Sequence, residues 1–139
     1  MSAAAGTPLA VGAALPELRR TVSQAQINAY ADASGDFNPI HVDEEFARSV
    51  GLPGTIAHGL LEMGILAEAI AGWAGGARSV AALEVRFSKP LRAGDTIICS
   101  GTVVAVDETE GVATLEVEAV SDRGERVLTN GRATVRLQR

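Results

Sequence analysis

Cysteine and aromatic residues are scarce in this sequence, and their scarcity narrows the possible structures. Cys99 is the single cysteine among 139 residues, so no internal disulfide can form and a reducing compartment is the default. It lies in the apolar stretch TIICSG, where a buried, inert side chain is commoner than a catalytic thiol. Aromatic residues make up 4% of the chain, so small residues must fill much of the core.

Positive charge and targeting signals are also lacking. The chain has 12 basic and 17 acidic side chains and a formal net charge of −5, which argues against a general nucleic-acid binder. The first ten residues, MSAAAGTPLA, do not resemble a signal peptide. The longest apolar region, residues 59–77, contains Glu62 and Glu68 and is a poor transmembrane span. We therefore expect no nucleic-acid partner, no membrane partner and a cytoplasmic location.

The pattern of apolar residues predicts one domain, residues 1–139, with residues 1–9 as a flexible N-terminal extension. Ser23 and Gln26 form a capping-box pattern, which predicts a helix that Gly35 can end. The stretch DEEFARSV, residues 43–50, predicts a short helix. From His58 onward the sequence is apolar on nearly every side of a long predicted helix, which favours a central, buried position.

The second half of the chain predicts antiparallel strands. Four stretches have strand character: residues 79–90, 95–108, 111–122 and 125–138. The last two alternate apolar and polar residues, as strands do when one face of a sheet is wet. One apolar helix and one such sheet predict an α+β fold in which the sheet wraps around the helix. Because edge strands are commonly covered by a second copy, we expect a homodimer.

The stretch GDFNPIH, residues 35–41, is the main candidate for chemistry. A carboxylate such as Asp36 and an imidazole such as His41 can share one water and move its protons. Asn38 and Pro39 favour a turn that could bring the two side chains together. A short motif of this kind is more often only a turn, with His41 packed in the core. Two histidines and one carboxylate over this span lack the tight spacing of a metal site.

A second candidate element is Ala57-His58-Gly59, at the start of the long predicted helix. The Gly59 amide is one of the unsatisfied donors at the positive end of that helix. Glycine lets a ligand approach the backbone closely, which suits a carbonyl oxygen that gains negative charge. For His58 we expect a structural or loop-orienting role.

Together these elements carry a specific resemblance. Residues 30–66, YADASGDFNPIHVDEEFARSVGLPGTIAHGLLEMGIL, resemble the hydratase motif region of the MaoC-like, (R)-specific enoyl-CoA hydratase family. Residues 85–97, VRFSKPLRAGDTI, resemble the strand that follows the central helix in that family. Within the family, the sequence is similar to short stand-alone hydratases and to the catalytic B subunit of (3R)-hydroxyacyl-ACP dehydratases.

The resemblance implies a hotdog fold paired into dimers, with Asp36 and His41 as the catalytic pair. It also implies that the Gly59 amide contributes to an oxyanion hole, and we group Asn38 with Gly59 on the substrate-binding side. Some family members have a serine eight positions after this glycine, where this chain has Ala67. That departure bears on substrate preference and leaves the proposed pair intact.

The implied activity interconverts a 2-enoyl thioester of CoA or acyl carrier protein and its (3R)-3-hydroxyacyl thioester. We expect no metal and no cofactor, because the thioester itself accepts the electrons. Arg86, Lys89 and Arg92 are candidates to meet the anionic carrier. Two alternatives stay open: an acyl-thioester hydrolase on the same fold, and a subunit of a heterodimeric dehydratase that is active only with its partner.

Overall fold

The computed structural model describes residues 8–138. Five strands and four α-helices follow one another in the order β1 (Leu18–Thr21), α1 (Gln24–Ser34), α2 (Pro39–Val42), α3 (Glu44–Ser49), α4 (Gly59–Ala74), β2 (Val80–Phe87), β3 (Thr96–Asp107), β4 (Val112–Ser121) and β5 (Arg126–Arg136). A short 3-10 turn, Ala77–Ser79, joins α4 to β2. The predicted α+β class is confirmed.

The strands form one antiparallel sheet in the order β1-β3-β4-β5-β2. The four strands predicted from the sequence are all present, and their apolar alternation is confirmed on β4 and β5. The sequence did not predict β1, which pairs with residues Thr96–Cys99 of β3. Its four residues, LRRT, contain no apolar run, so only the partner strand makes them a strand.

The core lies between α4 and the inner face of the sheet. Ile65, Leu66, Ile70 and Trp73 of α4 belong to one apolar cluster with buried residues of β3, β4 and β5, which include Val103, Leu115, Val127 and Val135. This arrangement confirms the prediction of a sheet around a helix and fixes where α4 begins relative to the strands.

The predicted central position of α4 is confirmed, but one narrow face of the helix is exposed. Leu60 is 65% exposed in the single chain, and Gly64, Glu68 and Gly72 continue an exposed stripe at four-residue spacing. Two of these four residues are glycines and one is a glutamate, so Leu60 supplies the large apolar surface of this stripe.

The first predicted helix is confirmed in detail. The Ser23 hydroxyl accepts a hydrogen bond from the Gln26 amide (3.1 Å), and Gly35 ends α1 in the left-handed conformation with φ of 78°. The short helix α3 is also present, with the Asp43 side chain accepting from the Phe46 amide. In the stretch GDFNPIH, the turn expected at Asn38 and Pro39 is one turn of helix, because Pro39–Val42 forms α2 after the Asn38 cap.

Two other predictions concern the N-terminal extension and a membrane-spanning helix. Most of the predicted N-terminal extension, residues 1–7, lies outside the described residues, and Leu9 packs against the core. Among residues 8–138, we find no helix with both the length and the apolar character needed to cross a membrane.

Candidate active site

The N-terminus of α4 lies beside a cleft that Gly59 helps to line. Gly59 is the first residue of α4, and His58 precedes it without capping the helix through its side chain. The first amides of a helix have no intrahelical acceptor and lie at the positive end of its dipole. The amide of Gly59 is therefore suited to bind an oxygen atom that carries negative charge.

A side chain at position 59 would crowd the ring of Phe87. A Cβ atom built on Gly59 would lie 3.0 Å from Cε1 and 3.1 Å from Cδ1 of Phe87, which is closer than normal van der Waals contact. Phe87, at the end of β2, is itself 49% exposed. The aromatic ring thus lies beside the Gly59 backbone on the edge of the cleft.

Asp36 lies on the loop that connects α1 to α2, and its side chain is exposed. The Asp36 Oδ1 atom accepts a hydrogen bond from the Asn38 amide (3.2 Å). The Asn38 side chain in turn accepts from the Ile40 amide (3.2 Å) and caps α2. Asn38 therefore orders the loop, and Pro39 begins the helical turn that carries His41.

His41 is 7% exposed and is held at both its backbone and its ring. Its carbonyl oxygen accepts a hydrogen bond from Nε2 of Gln24 (2.8 Å). Its ring Nδ1 lies 2.8 Å from the carbonyl oxygen of Ile56. A carbonyl oxygen only accepts, so Nδ1 carries the proton and, in the neutral ring, Nε2 has the free lone pair. That tautomer is the one that a general base requires.

His58 makes contacts that the sequence did not reveal. Its Nε2 lies 3.0 Å from the carbonyl oxygen of Asp36, and its ring stacks on that of His41 with centroids 3.8 Å apart and planes 22° apart. Tyr30 lies against it with a centroid distance of 4.8 Å. The sequence indicated a loop-orienting residue, but pattern alone cannot show a contact between residues 17 positions apart.

The structure brings most of the predicted site residues together. Asp36, His41 and His58 each place one polar side-chain atom within 4.8 Å of the others. A cleft of about 330 Å³ lies beside them, lined by Tyr30, Ser34, Asp36, His58, Gly59, Leu60 and Phe87. His41 lies next to this cleft and is stacked on His58. Asn38, which we grouped with Gly59 on the substrate-binding side, caps α2 and is not among the residues that line the cleft.

The three polar side chains do not form a convincing metal site. The lone pairs of an imidazole lie in the plane of its ring, and the rings of His41 and His58 are stacked in different, nearly parallel planes. One ion cannot lie in both planes at bonding distance, so the stack disfavours the shared ligation that zinc and similar metals require.

The three candidate cationic residues, Arg86, Lys89 and Arg92, do not all line the same groove. Arg86 and Lys89 line a groove of about 790 Å³ together with Arg126, and this groove shares Phe87 with the cleft. Arg92 lies apart from the groove and forms an isolated β-bridge with Ile56.

Glu62 and Cys99 are buried outside the cleft, and both have shifted pKa values. Burial raises the pKa of Glu62, in the first turns of α4, to about 8, and a hydrogen bond with the Leu91 backbone opposes the shift. Burial also raises the pKa of the Cys99 thiol to about 12. Cys99 is therefore a protonated, inert thiol at neutral pH, as the sequence predicted.

Comparison with known proteins agrees with this geometry. The family model described as "MaoC like domain" matches residues 10–123. The chain belongs to the MaoC-like family. The residues carrying the resemblance, Asp36 to Gly59, lie within the matched region, so the recognition made from the sequence is confirmed.

Curated and solved members of the MaoC-like family resemble nearly the whole chain. The mitochondrial 3-hydroxyacyl-[acyl-carrier-protein] dehydratase of Arabidopsis thaliana is 33% identical, covering 96% of this chain and 80% of the relative. A solved MaoC-like dehydratase superimposes with a TM-score of 0.90 at 33% identity, covering 96% of this chain but only 43% of that longer chain. The (R)-hydratase from Aeromonas caviae involved in PHA biosynthesis superimposes with a TM-score of 0.85 at 28% identity, covering 94% and 98%. These likenesses confirm the predicted hotdog fold.

Proposed function

We propose that this MaoC-like protein interconverts a 2-enoyl thioester and its (3R)-3-hydroxyacyl thioester by adding or removing water. The observation that carries the proposal is the grouping of the Asp36 and His41 side chains beside the exposed amide end of α4. The similar proteins named as a dehydratase of 3-hydroxyacyl-ACP and as an (R)-hydratase support the same chemistry.

The thioester carbonyl binds at the amide of Gly59, which withdraws electrons from the conjugated double bond. Asp36 and His41 hold one water, and the free Nε2 of His41 takes its proton as the oxygen bonds to C3. The π electrons move onto the carbonyl oxygen, giving an enolate that the helix end stabilises. A proton from the pair then reaches C2 on the same face, so no redox or metal step is required.

The decisive test follows the enoyl chromophore and the free thiol together. With crotonyl-CoA as substrate, we expect enoyl absorbance to fall without release of thiol, and chiral analysis to give the (3R) product. Stoichiometric thiol release would instead show an acyl-thioester hydrolase. A series of enoyl-CoA and enoyl-ACP substrates then determines chain length and carrier, which the cleft does not specify.

Replacing either member of the pair gives the largest expected effect on activity. Loss of an acid–base group lowers rates by roughly 10²–10⁴-fold, so Asp36→Asn and His41→Ala should each lower kcat at least that far. Asp36→Asn should keep the wild-type urea midpoint, since Asp36 is exposed, whereas His41→Ala removes a buried ring and should lower the midpoint, so kcat is compared per folded molecule. Asp32→Asn, an exposed aspartate on α1, is the matched control and should keep wild-type kcat. Near-wild-type turnover by both site variants would rule out the assignment.

We further propose that the active form is a homodimer. β2 pairs with β5 on one side only, so its other edge has backbone groups available to a second chain. Light scattering on the purified protein tests this: a monomer that becomes active only after addition of a second, different subunit would support the heterodimer. The cytoplasmic location stays a prediction that fractionation can check.

A further inference from the structure

We propose that His58 is a positioning residue that holds both members of the pair, Asp36 through its backbone and His41 through its ring. The inference rests on the proposed function, since positioning matters only if that pair performs the chemistry. His58 is 2% exposed, so it contributes through its contacts with the protein and not through a contact with bulk water.

The first contact fixes the Asp36 loop. Because the carbonyl oxygen of Asp36 only accepts, Nε2 of His58 carries the proton and donates to it over 3.0 Å. On the other side of the same residue, the Asp36 amide donates to the Ser34 hydroxyl (3.2 Å). The Asp36 backbone is thus held from both sides, although its carboxylate is exposed to the cleft.

The second contact fixes the ring of His41. With centroids 3.8 Å apart and planes 22° apart, the His58 ring covers one face of the His41 ring. The other constraint on that ring is the hydrogen bond from Nδ1 to Ile56. A stack and an in-plane hydrogen bond together restrict rotation of the ring, which keeps Nε2 directed at one position.

The unsatisfied nitrogen of His58 argues against a purely space-filling role. Its Nδ1 is buried and has no hydrogen-bond partner among residues 8–138. A buried polar atom without a partner is costly and rare, and an apolar ring at this position would avoid it. The imidazole provides a flat ring and an N–H donor at once, and the two contacts above use both.

Two substitutions separate the two contacts. His58→Phe keeps a flat ring for the stack and removes the N–H donor, whereas His58→Gln keeps an N–H donor and removes the ring. Because a displacement of about 1 Å in a reacting group costs on the order of 100-fold in rate, we expect each variant to lower kcat by roughly 10- to 100-fold. KM should stay within about threefold, because His58 is not expected to hold the thioester carbonyl.

A merely structural role predicts a different result. In that case each variant would lower the urea midpoint while kcat per folded molecule stayed within twofold of wild type, and this outcome would overturn the proposal. Trp73→Phe is the matched control, since it weakens a buried contact at the far end of α4. We expect it to lower stability and leave kcat unchanged.

Coupling to His41 gives a second readout. In a His41→Ala background the ring to be positioned is absent, so His58→Gln should lower the remaining rate by less than threefold. An undiminished loss in that background would show that His58 does not act through His41 and would overturn this half of the proposal.

An activity-independent measurement separates failure of this inference from failure of the proposed function. The chain contains two histidines, so His58→Phe leaves His41 as the single imidazole signal in a ¹⁵N NMR spectrum. In the wild type we expect His41 to be the Nδ1–H tautomer alone, and in His58→Gln we expect a mixture of tautomers. Absence of hydration by the wild type would contradict the proposed function only. An unchanged His41 signal in His58→Gln would contradict the positioning inference, whatever the activity.

Discussion

The two ends of α4 are finished in opposite ways. At the C-terminal end, Gly75 adopts the left-handed conformation and its amide donates to the carbonyl oxygen of Ala71. Nearby, the Trp73 indole donates to the carbonyl oxygen of Pro16 (2.8 Å). The side-chain amide of Gln138 donates to the carbonyl oxygen of Ala74 (2.9 Å). At the N-terminal end, no side chain caps the helix, and His58 donates to the Asp36 loop instead.

This difference separates stability from function along one helix. The C-terminal end satisfies its polar groups within the chain, which anchors the helix to the N-terminal segment and to the end of the chain. The N-terminal end leaves amides unsatisfied and faces them toward a cleft, which costs stability unless a ligand is bound. Substitutions at the two ends should therefore differ in which property they change.

The largest effect on stability is expected at the C-terminal end. Trp73 is 5% exposed, and replacing a buried aromatic residue by alanine costs about 3–5 kcal/mol of unfolding free energy. Trp73→Phe should cost less, about 1 kcal/mol for the lost hydrogen bond plus a small packing loss. Urea unfolding measures both, and kcat per folded molecule should match wild type. A fall in kcat for Trp73→Phe would show that this end is not independent of the site.

Glu62 makes the stability of the N-terminal end depend on pH. Burial raises its pKa in the folded protein to about 8, above the ordinary value of 4.5, so the folded protein holds this proton more tightly than the unfolded chain. Stability from this source is complete below pH 4.5 and is lost as the pH rises toward 8, by roughly 1.4 kcal/mol per pH unit at most. Glu62→Gln should therefore be increasingly more stable than wild type from pH 5 to pH 8.

Urea midpoints at pH 5, 6, 7 and 8 check the Glu62 prediction. The exposed glutamate at position 45 supplies the control, since Glu45→Gln should track the wild type at every pH. A constant difference between Glu62→Gln and wild type over this range would mean that Glu62 is already ionised in the folded protein.

Gly59→Ala is expected to change activity more than stability. The added methyl group would lie 3.0 Å from Cε1 of Phe87. Because the Phe87 ring is 49% exposed, it can shift away from the methyl group. The stability cost should therefore be small, whereas a shift of about 1 Å in the amide would lower kcat/KM on the order of 100-fold if that amide binds the substrate carbonyl.

The double variant Gly59→Ala/Phe87→Ala shows how the methyl group acts. If the loss arises from contact with the ring, Phe87→Ala should restore part of the activity of Gly59→Ala. If the methyl group blocks the carbonyl directly, the double variant should be no better than Gly59→Ala. Equal kcat/KM for Gly59→Ala and wild type would remove Gly59 from the site.

The sequence predicted the strands of the C-terminal half better than the contacts that join distant parts of the chain, and the roles of Asp36, His41 and Gly59 stay predictions. Alternation identified β4 and β5 because a sheet with one buried face imposes a period of two. The capping pattern identified α1 because Ser23 and Gln26 are local partners. The sequence did not predict β1, because β1 depends on pairing with β3. It also did not predict the helical turn α2, which depends on the cap by Asn38. The stack of His58 on His41 depends on the tertiary fold, so no local pattern could show it.

Substitutions in the middle of α4 should change stability and activity least, so they serve as a reference for substitutions at its two ends. Arg20 of β1 donates two hydrogen bonds to Glu68, each 2.8 Å long, and this contact lowers the pKa of Glu68. Both side chains are at least 36% exposed, and exposed ion pairs contribute about 0.2–1 kcal/mol. A double-mutant cycle with Arg20→Ala and Glu68→Ala should therefore give a coupling energy below about 1 kcal/mol that shrinks in high salt, with kcat unchanged. A larger, salt-insensitive coupling, or a fall in kcat, would mean that the helix transmits a change at its middle to its open end, and the separation of its two ends would then be incomplete.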